Sequence, residues 1–267
     1  MTIRTGSGQS SAGSPPTEAD ASERPLGRCL RAFHSGRRLA MDLRIKRGLH
    51  FCTVEGRTIF LDEDTSRYFC IPEDLDHSFQ MMIMAGENFG DNSAADFIAD
   101  LITLEILQVE YPGTKGLERH SPVVAEPTDD LGPRSVHPTP VIEIMAAVFE
   151  RLRSKRIAAH RDIADVRRLI EQERLQFAHR RSASIPATRV AIVAAFEVSD
   201  FLFGRNDRCL PRAIALIRRS LRGGYNPSLV IGVRVNPFAA HCWVQQGSTV
   251  IGDSIDVARI YTPICTL

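Results

Sequence analysis

The sequence predicts an α+β protein, because strand-like and helix-like segments come in separate groups along the chain. Residues 49–71 alternate apolar and polar side chains in short runs broken by turn residues, which is typical of small antiparallel strands. A second group of strand-like runs occupies 228–254, after a helical segment that ends at Gly223 and Gly224. Helical spacing of apolar residues predicts further helices over 74–87, 93–109, 140–180 and 188–203.

Turn residues divide the first group into three strands. Glu55 and Gly56 form a turn between the first two strands, and a polar "EDTS" loop separates the second from the third. Pro72 ends the strands, because proline cannot donate to a strand ladder. The three runs are "LHFCTV" (49–54), "RTIFLD" (57–62) and "RYFCI" (67–71).

No glycine or proline interrupts residues 141–180, which predicts one long helix or two nearly collinear helices. Basic residues between Arg151 and Arg181 alternate with acidic ones, and this favours a solvated helix face over a nucleic-acid site. One apolar stripe is marked at helical spacing by Val141, Ile144, Met145, Val148 and Leu152.

The composition is that of an ordinary soluble globular protein. Of 267 residues, 43% are hydrophobic and 24% charged, and the formal net charge is +1. A nearly neutral chain has no global attraction for DNA or for an anionic membrane. The longest apolar stretches, such as 191–196, are too short to cross a bilayer. We therefore expect neither a nucleic-acid partner nor a membrane partner.

The six cysteines are widely scattered, with no CxxC pair and no closely spaced disulfide framework. The N-terminus carries no signal-peptide pattern. We therefore expect reduced thiols in a cytoplasmic protein, and we expect no metal site.

Composition also predicts the domain organisation. Residues 1–40 are rich in Ser, Gly, Pro and Arg, which predicts a disordered extension with Met41 as a possible alternative start. Residues 41–112 hold the first strand group and its helices. The proline-rich residues 113–139 predict a linker, and 140–267 hold the helical segment and the C-terminal α+β unit.

Cys209 stands immediately before Leu210 and Pro211, at the predicted start of a helix. A helix start favours negative charge and so lowers the pKa of a thiol. Nucleophilic chemistry also needs a base and a group that orients that base. From the residues alone, Cys209 is a nucleophile, a metal ligand or a buried packing residue.

His241 and Asp253 lie on or beside predicted strands downstream of Cys209. Because strand side chains alternate, His241 and Trp243 share one face while Cys242 points to the other. Cys242 should therefore not join His241 in one coordination shell. A zinc site would instead need Cys209, His241, Asp253 and Cys265, whose spacing matches no familiar zinc pattern. Cys209, His241 and Asp253 could instead form a catalytic Cys-His-Asp triad. The alternative is that Cys209 is an inert buried cysteine and His241 a core residue.

Several of these segments resemble the B proteins of lasso-peptide biosynthetic clusters, which belong to the transglutaminase-like cysteine protease superfamily. The matching segments are "RCLPRAIALIRRSLRGG", "IGVR" (231–234), "PFAAHCWV" (237–244) and the "GD" that contains Asp253. The resemblance implies a transglutaminase-like or papain-like domain, with Cys209 as nucleophile, His241 as general base and later acid, and Asp253 holding the imidazole. The family usually has a small residue at the position of Cys242. We expect this difference to leave the triad unaffected.

The segment "LHFCTVEGRTIFLDEDTSRYFCIP" and the helices after it resemble the PqqD-like, winged-helix-type recognition element that binds precursor leaders. An extended peptide can add to an open sheet edge by main-chain hydrogen bonds. The resemblance places the leader on the third strand and the later helix, although some of these positions could serve the core instead. The implied leader-binding residues are Arg67, Tyr68, Phe69, Cys70, Ile71, Phe97, Leu101 and Leu104.

The resemblance therefore implies a leader peptidase that needs no cofactor for hydrolysis. Its expected partners are a lasso precursor and an asparagine synthetase-like cyclase that uses ATP and magnesium. For the oxyanion hole we expect the backbone N–H of Cys209 and a donor from 200–207, with Asn206 as a guess. A non-hydrolytic acyl transferase of the same fold and a non-catalytic peptide-binding or nucleic-acid-binding module remain alternatives.

Overall fold

A computed structural model gives the structure of residues 42–85, 94–110, 124–132, 139–178, 189–203 and 209–267. The predicted extension over 1–40, Met41 and much of the predicted linker over 113–139 lie outside these described residues. The chain divides into two compact units. One is drawn from 1–44 and 89–116, and the other from 45–88 and 117–267.

The described residues form ten strands and seven helices. The strands are β1 (Asp42–Ile45), β2 (Leu49–Val54), β3 (Arg57–Asp62), β4 (Arg67–Phe69), β5 (Leu107–Glu110), β6 (Asp129–Leu131), β7 (Ser228–Arg234), β8 (Ala239–Gln246), β9 (Thr249–Ile251) and β10 (Thr262–Thr266). The helices are α1 (Glu73–Ala85), α2 (Ala94–Thr103), α3 (Val141–His160), α4 (Ile163–Ala178), α5 (Arg189–Phe203), α6 (Cys209–Arg222) and α7 (Ile255–Ala258). None of these helices combines the length and the apolar character that crossing a membrane requires.

The smaller unit contains α2, β5 and most of β1, and the two strands pair with each other. Helix α2 ends at Thr103 because Glu105 adopts a left-handed φ of 57°, from which the helix cannot continue. The N–H of Ile106 then bonds to the carbonyl of Leu101 and closes the helix end. The prediction of a helix over 93–109 is therefore wrong after Thr103, where the chain turns into β5.

In the larger unit the C-terminal strands form one sheet, in the order β10-β7-β8-β9-β6. Strands β7, β8 and β9 lie in the strand-like runs predicted over 228–254 and pair antiparallel. Strand β10, which the sequence analysis did not predict, pairs antiparallel with β7, and β6 pairs with β9 in parallel. Helix α6 packs against this sheet through a buried run from Ala213 to Ile217. The sheet and α6 together supply most of the hydrophobic core.

Both ends of α6 lie where the sequence predicted them. The helix begins at Cys209 and gives way to Gly223 and Gly224. Gly224 has a φ of 85°, a conformation that glycine adopts without strain. Its N–H bonds to the carbonyl of Leu221, and the N–H of Tyr225 bonds to that of Ser220, as in a Schellman cap.

A buried network of charges joins α6 to the neighbouring helices. Arg218 is fully buried and donates to both oxygens of Glu173 on α4, with Nε 3.0 Å from each. It also lies 3.2 Å from Glu150 on α3. Removing one partner of a buried ion pair typically costs about 3–5 kcal/mol, because the other charge is left unpaired. These charges therefore fix how the three helices pack.

The same network decides which side of α3 faces inward. Of the predicted apolar stripe, Val141, Met145 and Leu152 are exposed, whereas Glu150 and Arg151 on the same helix are buried. Arg151 pairs with Asp200 on α5, just as Glu150 pairs with Arg218. The stripe is thus present in the sequence but does not mark the buried face.

Strands β2, β3 and β4 form a three-stranded antiparallel sheet with two different faces. One face is aromatic and packs on α1, where Phe60 lies 5.2 Å from Phe79 and 5.1 Å from Phe69 between ring centroids. The other face, with Ile59 and Leu61, joins the core that α6 and the C-terminal sheet build. This sheet therefore lies between α1 and the C-terminal part of the larger unit.

A second polar network ties this sheet to the C-terminal elements. Glu63, just after β3, accepts from Arg167 on α4 and lies 2.6 Å from Nε2 of His50. Arg167 also donates to the Cys265 sulfur on β10 at 3.3 Å. Burial alone would raise the pKa of Glu63, but the bonds from His50 and Arg167 lower it to about 2. The predicted 41–112 module is therefore divided between the two compact units. Strands β2, β3 and β4 belong to the larger unit, where β3 packs with the C-terminal elements.

Candidate active site

Cys209 is the first residue of α6, and its side chain is half-buried. Pro211 stands in the first turn, where a missing N–H breaks no helical hydrogen bond. The unpaired N–H groups and the positive dipole end at this position favour a thiolate. Arg212 donates to Asp200 of α5 at 3.0 to 3.2 Å and so anchors the start of the helix.

His241 lies on β8, opposite Gly232 of β7. Gly232 is required there, because a Cβ would lie 2.7 Å from Cζ3 of Trp243. The imidazole is flanked by the rings of Trp243 and Tyr261, with centroids 6.1 and 5.2 Å away. These contacts restrict the orientation of the ring, and they confirm that His241 and Trp243 share one strand face.

Asp253 follows β9 after a turn at Gly252, whose φ is 69°. Nε2 of His241 lies 2.7 Å from Oδ2 of Asp253, and the N–H of Ser254 donates to Oδ1 at 2.8 Å. Burial alone would raise the pKa of Asp253, but these bonds and the charges of His241 and Arg212 hold it below its ordinary value. An ionised Asp253 accepts from Nε2–H and leaves Nδ1 of the imidazole for Cys209.

The pKa shifts of Cys209 and His241 favour an ion pair between the two side chains. The pKa of Cys209 is lowered to about 4. The largest cause is a hydrogen bond from the Cys242 thiol to the Cys209 sulfur. Burial opposes the shift, and a hydrogen bond from His241 to the same sulfur adds to it. Burial would lower the pKa of His241, but hydrogen bonds to Asp253 and Cys209 raise it to about 9. Between these values the pair is thiolate and imidazolium, the activated form of a cysteine nucleophile.

Cys242 is a further member of the site, which the sequence analysis considered only as a metal ligand beside His241. Its thiol and its backbone N–H both donate to the Cys209 sulfur, and the bond and burial together raise the pKa of Cys242 well above its ordinary value. Strand alternation is observed, since Cys242 belongs to the α6-facing core and Trp243 to a separate cluster. The sequence analysis did not predict that Cys242 contacts Cys209.

The pairing of β8 explains how Cys209 meets residues from both faces. Strand β9 pairs with β8 only from Val244 onward, so the edge of β8 at His241 and Cys242 has no partner from β9. Since the N–H of Cys242 donates to Cys209, the thiolate lies at this open edge. A group at a strand edge can contact side chains of both faces.

A family comparison bears on the segment that carries this site. The sequence model of the transglutaminase-like superfamily matches residues 147–266, which include Cys209, His241 and Asp253. Residues 147–266 form a transglutaminase-like domain. Members of this superfamily are typically cysteine-based enzymes. Comparisons with curated proteins and with solved structures gave no match.

The transglutaminase-like domain should show a bell-shaped dependence of kcat/KM on pH. Below about pH 4 the rate should fall as the Cys209 thiolate is protonated, and above about pH 9 it should fall as His241 loses the proton that the leaving group needs. Rates of substrate turnover and of iodoacetamide alkylation, measured across this range, check the prediction. Alkylation should persist above pH 9, since it needs only the thiolate.

An ordinary thiol would behave differently. With an unshifted pKa of 9.0, both turnover and alkylation would rise steeply as the pH approached that value. Such a rise would contradict the ion pair.

The structure places the expected leader-binding residues in both units. Arg67, Tyr68 and Phe69 form β4, at the edge of the three-stranded sheet, followed by exposed Cys70 and buried Ile71. Phe97, Leu101 and Leu104 lie in the smaller unit, the first two buried on α2 and Leu104 exposed just after it. Arg67 and Cys70 are therefore the exposed members of this set in the larger unit, and Leu104 is the exposed member in the smaller unit.

Tyr68 packs against the same core as Cys209, and this core contains Cys242 and Cys265. Burial raises the pKa of Tyr68, and the charges of Cys242, Cys209 and Cys265 add to the shift. The Tyr68 ring also meets that of Phe238 edge-on, with centroids 5.6 Å apart. Phe238 is 54% exposed and immediately precedes β8. An aromatic pair thus links β4 to the residue that precedes β8, the strand that carries His241.

In the described residues one group of side chains has the composition of a metal site. Ligand atoms of His50, Glu63 and Cys265 all lie within 4.8 Å of one another. The Arg167 guanidinium donates to both Glu63 and Cys265, so a cation already neutralises this group. The donors therefore fit a structural network better than a metal centre. Cys265 belongs to this network rather than to a shell with His241 and Asp253.

Of the two expected donors of the oxyanion hole, the described residues include the backbone N–H of Cys209. The backbone N–H of Cys209 lies in the first turn of α6 and has no carbonyl of the same helix before it. Asn206 and the other residues over 204–208 lie outside the described residues.

Proposed function

We propose that this chain is a cytoplasmic cysteine peptidase that removes the leader from a lasso-peptide precursor. The observation that carries the proposal is the Cys209–His241–Asp253 arrangement at the start of α6, within a transglutaminase-like domain. The substrate class comes from the resemblance of "RCLPRAIALIRRSLRGG" and "PFAAHCWV" to the lasso B proteins.

In the first half of the proposed reaction, the Cys209 thiolate attacks the scissile carbonyl. The N–H of Cys209 donates to the oxyanion, and Nδ1–H of His241 protonates the leaving amine. The core peptide departs with a free α-amine, and the leader remains on Cys209 as a thioester.

Water then completes the reaction. Neutral His241 accepts a proton from water at Nδ1, and the resulting hydroxide attacks the thioester. The leader leaves as a carboxylate, and Cys209 returns to its thiolate. Throughout, Asp253 accepts from Nε2–H and stabilises each imidazolium that forms.

The open edge of β4 supports capture of the leader. In the described part of the chain β4 pairs only with β3, so a leader can add to its other edge by main-chain hydrogen bonds. Tyr68 on this strand packs against the same core as Cys209. A leader bound there would deliver the scissile bond at a high effective concentration, typically millimolar for a short tether.

The product defines the proposed partner. A core peptide with a free α-amine is the substrate of a cyclase that activates a side-chain carboxylate with ATP and magnesium and closes the ring. We therefore place an asparagine synthetase-like cyclase downstream of this peptidase, which itself needs no cofactor. Genes for a short precursor and for such a cyclase are expected beside this one.

Incubation with the precursor encoded beside this gene tests the proposal. In water enriched in ¹⁸O, hydrolysis should release the leader with one heavy oxygen in its new carboxylate, together with a core that bears a free amine. Mass spectrometry of both fragments is the measurement.

Acyl transfer would give a different product. Leader joined to an added amine, with no ¹⁸O in the leader, would show that the thioester is resolved by an amine and would overturn the peptidase. An uncleaved precursor that still binds would make the chain a binding module.

A further inference from the structure

We propose that Cys242 and Cys209 form a modification site, in which a hydroperoxide oxidises Cys209 and Cys242 then closes a reversible disulfide with it. The proposal depends on the proposed role of Cys209 as an ionised nucleophile, but not on the identity of the peptide substrate. In this state the nucleophile is masked and the enzyme is inactive.

The contact between the two sulfurs is the first observation. Cys209 packs against the buried core that contains Cys242. Hydrogen bonds from the thiol and the backbone N–H of Cys242 to the Cys209 sulfur agree with this packing. Cys242 is buried on β8, and Cys209 begins α6, the helix that packs against β8 in one core. Both sulfurs are free thiols, so a bond between them needs no new neighbour.

The different states of the two sulfurs are the second observation. Cys209 is half-buried and ionised, so a small oxidant can reach it and meets a thiolate. Cys242 is buried and protonated, so it does not react with the oxidant itself. One sulfur is therefore the site of attack, and the other is positioned to resolve the product.

The chemistry balances with a hydroperoxide as the named oxidant. The Cys209 thiolate attacks the peroxide oxygen, the O–O bond breaks, and protonation of the departing oxygen leaves a sulfenic acid on Cys209 and an alcohol or water. The Cys242 sulfur then attacks the sulfenic sulfur. An S–S bond forms, the S–O bond breaks, and water leaves with the Cys242 proton. A thiol reductant reverses the disulfide by exchange.

The neighbouring thiols are less suited to this role. Cys265 accepts from Arg167 and donates to Glu63, both at 3.3 Å, and burial raises its pKa. Cys52 lies on β2, and burial raises its pKa to about 12. Cys242 is the thiol that contacts Cys209, and resolution by it prevents further oxidation of Cys209 to the irreversible sulfinic acid.

Treatment of the full chain with hydrogen peroxide tests the proposal. The wild type should lose two hydrogen atoms by intact mass, and peptide mapping should find Cys209 linked to Cys242. Dithiothreitol should restore the original mass and the rate of Cys209 alkylation. In Cys242→Ser, Cys209 should instead gain two oxygens, and dithiothreitol should not restore its alkylation.

Cys52→Ala is the matched control, since it removes a buried thiol outside the site and should oxidise as the wild type does. The linkage measured in the wild type needs no variant, so it decides the case even if Cys242→Ser folds poorly. A disulfide between Cys209 and a cysteine other than Cys242 would overturn the proposal. Formation of sulfinic acid on Cys209 in the wild type to the same extent as in Cys242→Ser would also overturn it. All readouts are masses or alkylation rates, so failure to cleave a precursor leaves them interpretable.

Discussion

Cys209→Ala should abolish precursor cleavage while leaving leader binding intact. Loss of a catalytic nucleophile typically lowers kcat by roughly 10⁶-fold, because the remaining groups cannot form the covalent intermediate. Cys209 is small and half-buried at a helix start, so its replacement should cost only about 1 kcal/mol of stability. Single-turnover cleavage by mass spectrometry and leader affinity by fluorescence anisotropy are the two measurements.

The comparison with Cys52→Ala separates catalysis from folding. Cys52 is a buried thiol on β2 and is not part of the triad, so its variant should cleave within a few-fold of the wild-type rate. If Cys209→Ala cleaves as fast as Cys52→Ala, then Cys209 is not the nucleophile. If Cys209→Ala also loses leader affinity while its thermal unfolding is unchanged, then capture and cleavage are not separate functions of the chain.

The parts of the fold that the sequence predicted well depend on local chemistry. Strands β2 and β3 have the predicted bounds, since the residues themselves show the alternation and the Glu55-Gly56 turn. Helix α6 has the predicted start and end because Pro211 and the paired glycines act within one turn. Strand β5 was missed because a left-handed Glu105 carries no sequence signal comparable to glycine.

Long-range contacts explain the other errors. The apolar stripe of α3 predicted the buried face, but Arg218 is distant in sequence and selects the face that carries Glu150. The pairing of Glu63 with Arg167 and Cys265 joins residues that are about a hundred or more positions apart. Periodicity describes one helix or strand at a time, so it gives no information on such partners.

The active site shows the same limit at closer range. Strand alternation correctly separated His241 from Cys242, but it did not show that β9 leaves this part of β8 unpaired. Cys209 lies at that open edge and contacts both side chains. One signal was present, since the lasso B proteins usually have a small residue where this chain has Cys242. The sequence analysis took this difference to be without effect on the triad, so it did not predict the contact with Cys209.

Asp253→Asn should lower kcat by about 10³–10⁴-fold. It should also lower the pH above which activity is lost. An asparagine amide no longer stabilises the imidazolium, and its NH₂ can donate to Nε2, which selects the wrong tautomer of His241. Because hydrogen bonding to Asp253 helps to raise the pKa of His241 to about 9, the upper limb should move toward lower pH. Full pH profiles of cleavage for both proteins are the measurement.

Asp256→Asn is the matched control, because Asp256 is an exposed carboxylate three residues further along, on α7. It should leave both the rate and the alkaline limb unchanged. A merely structural role for Asp253 would lower the amount of folded enzyme and reduce the rate equally at every pH. An alkaline limb in Asp253→Asn that stays near pH 9 would therefore show that Asp253 does not act through His241. A limb that moves while thermal unfolding is unchanged is the expected result, since the change then lies in the charge state of the imidazole.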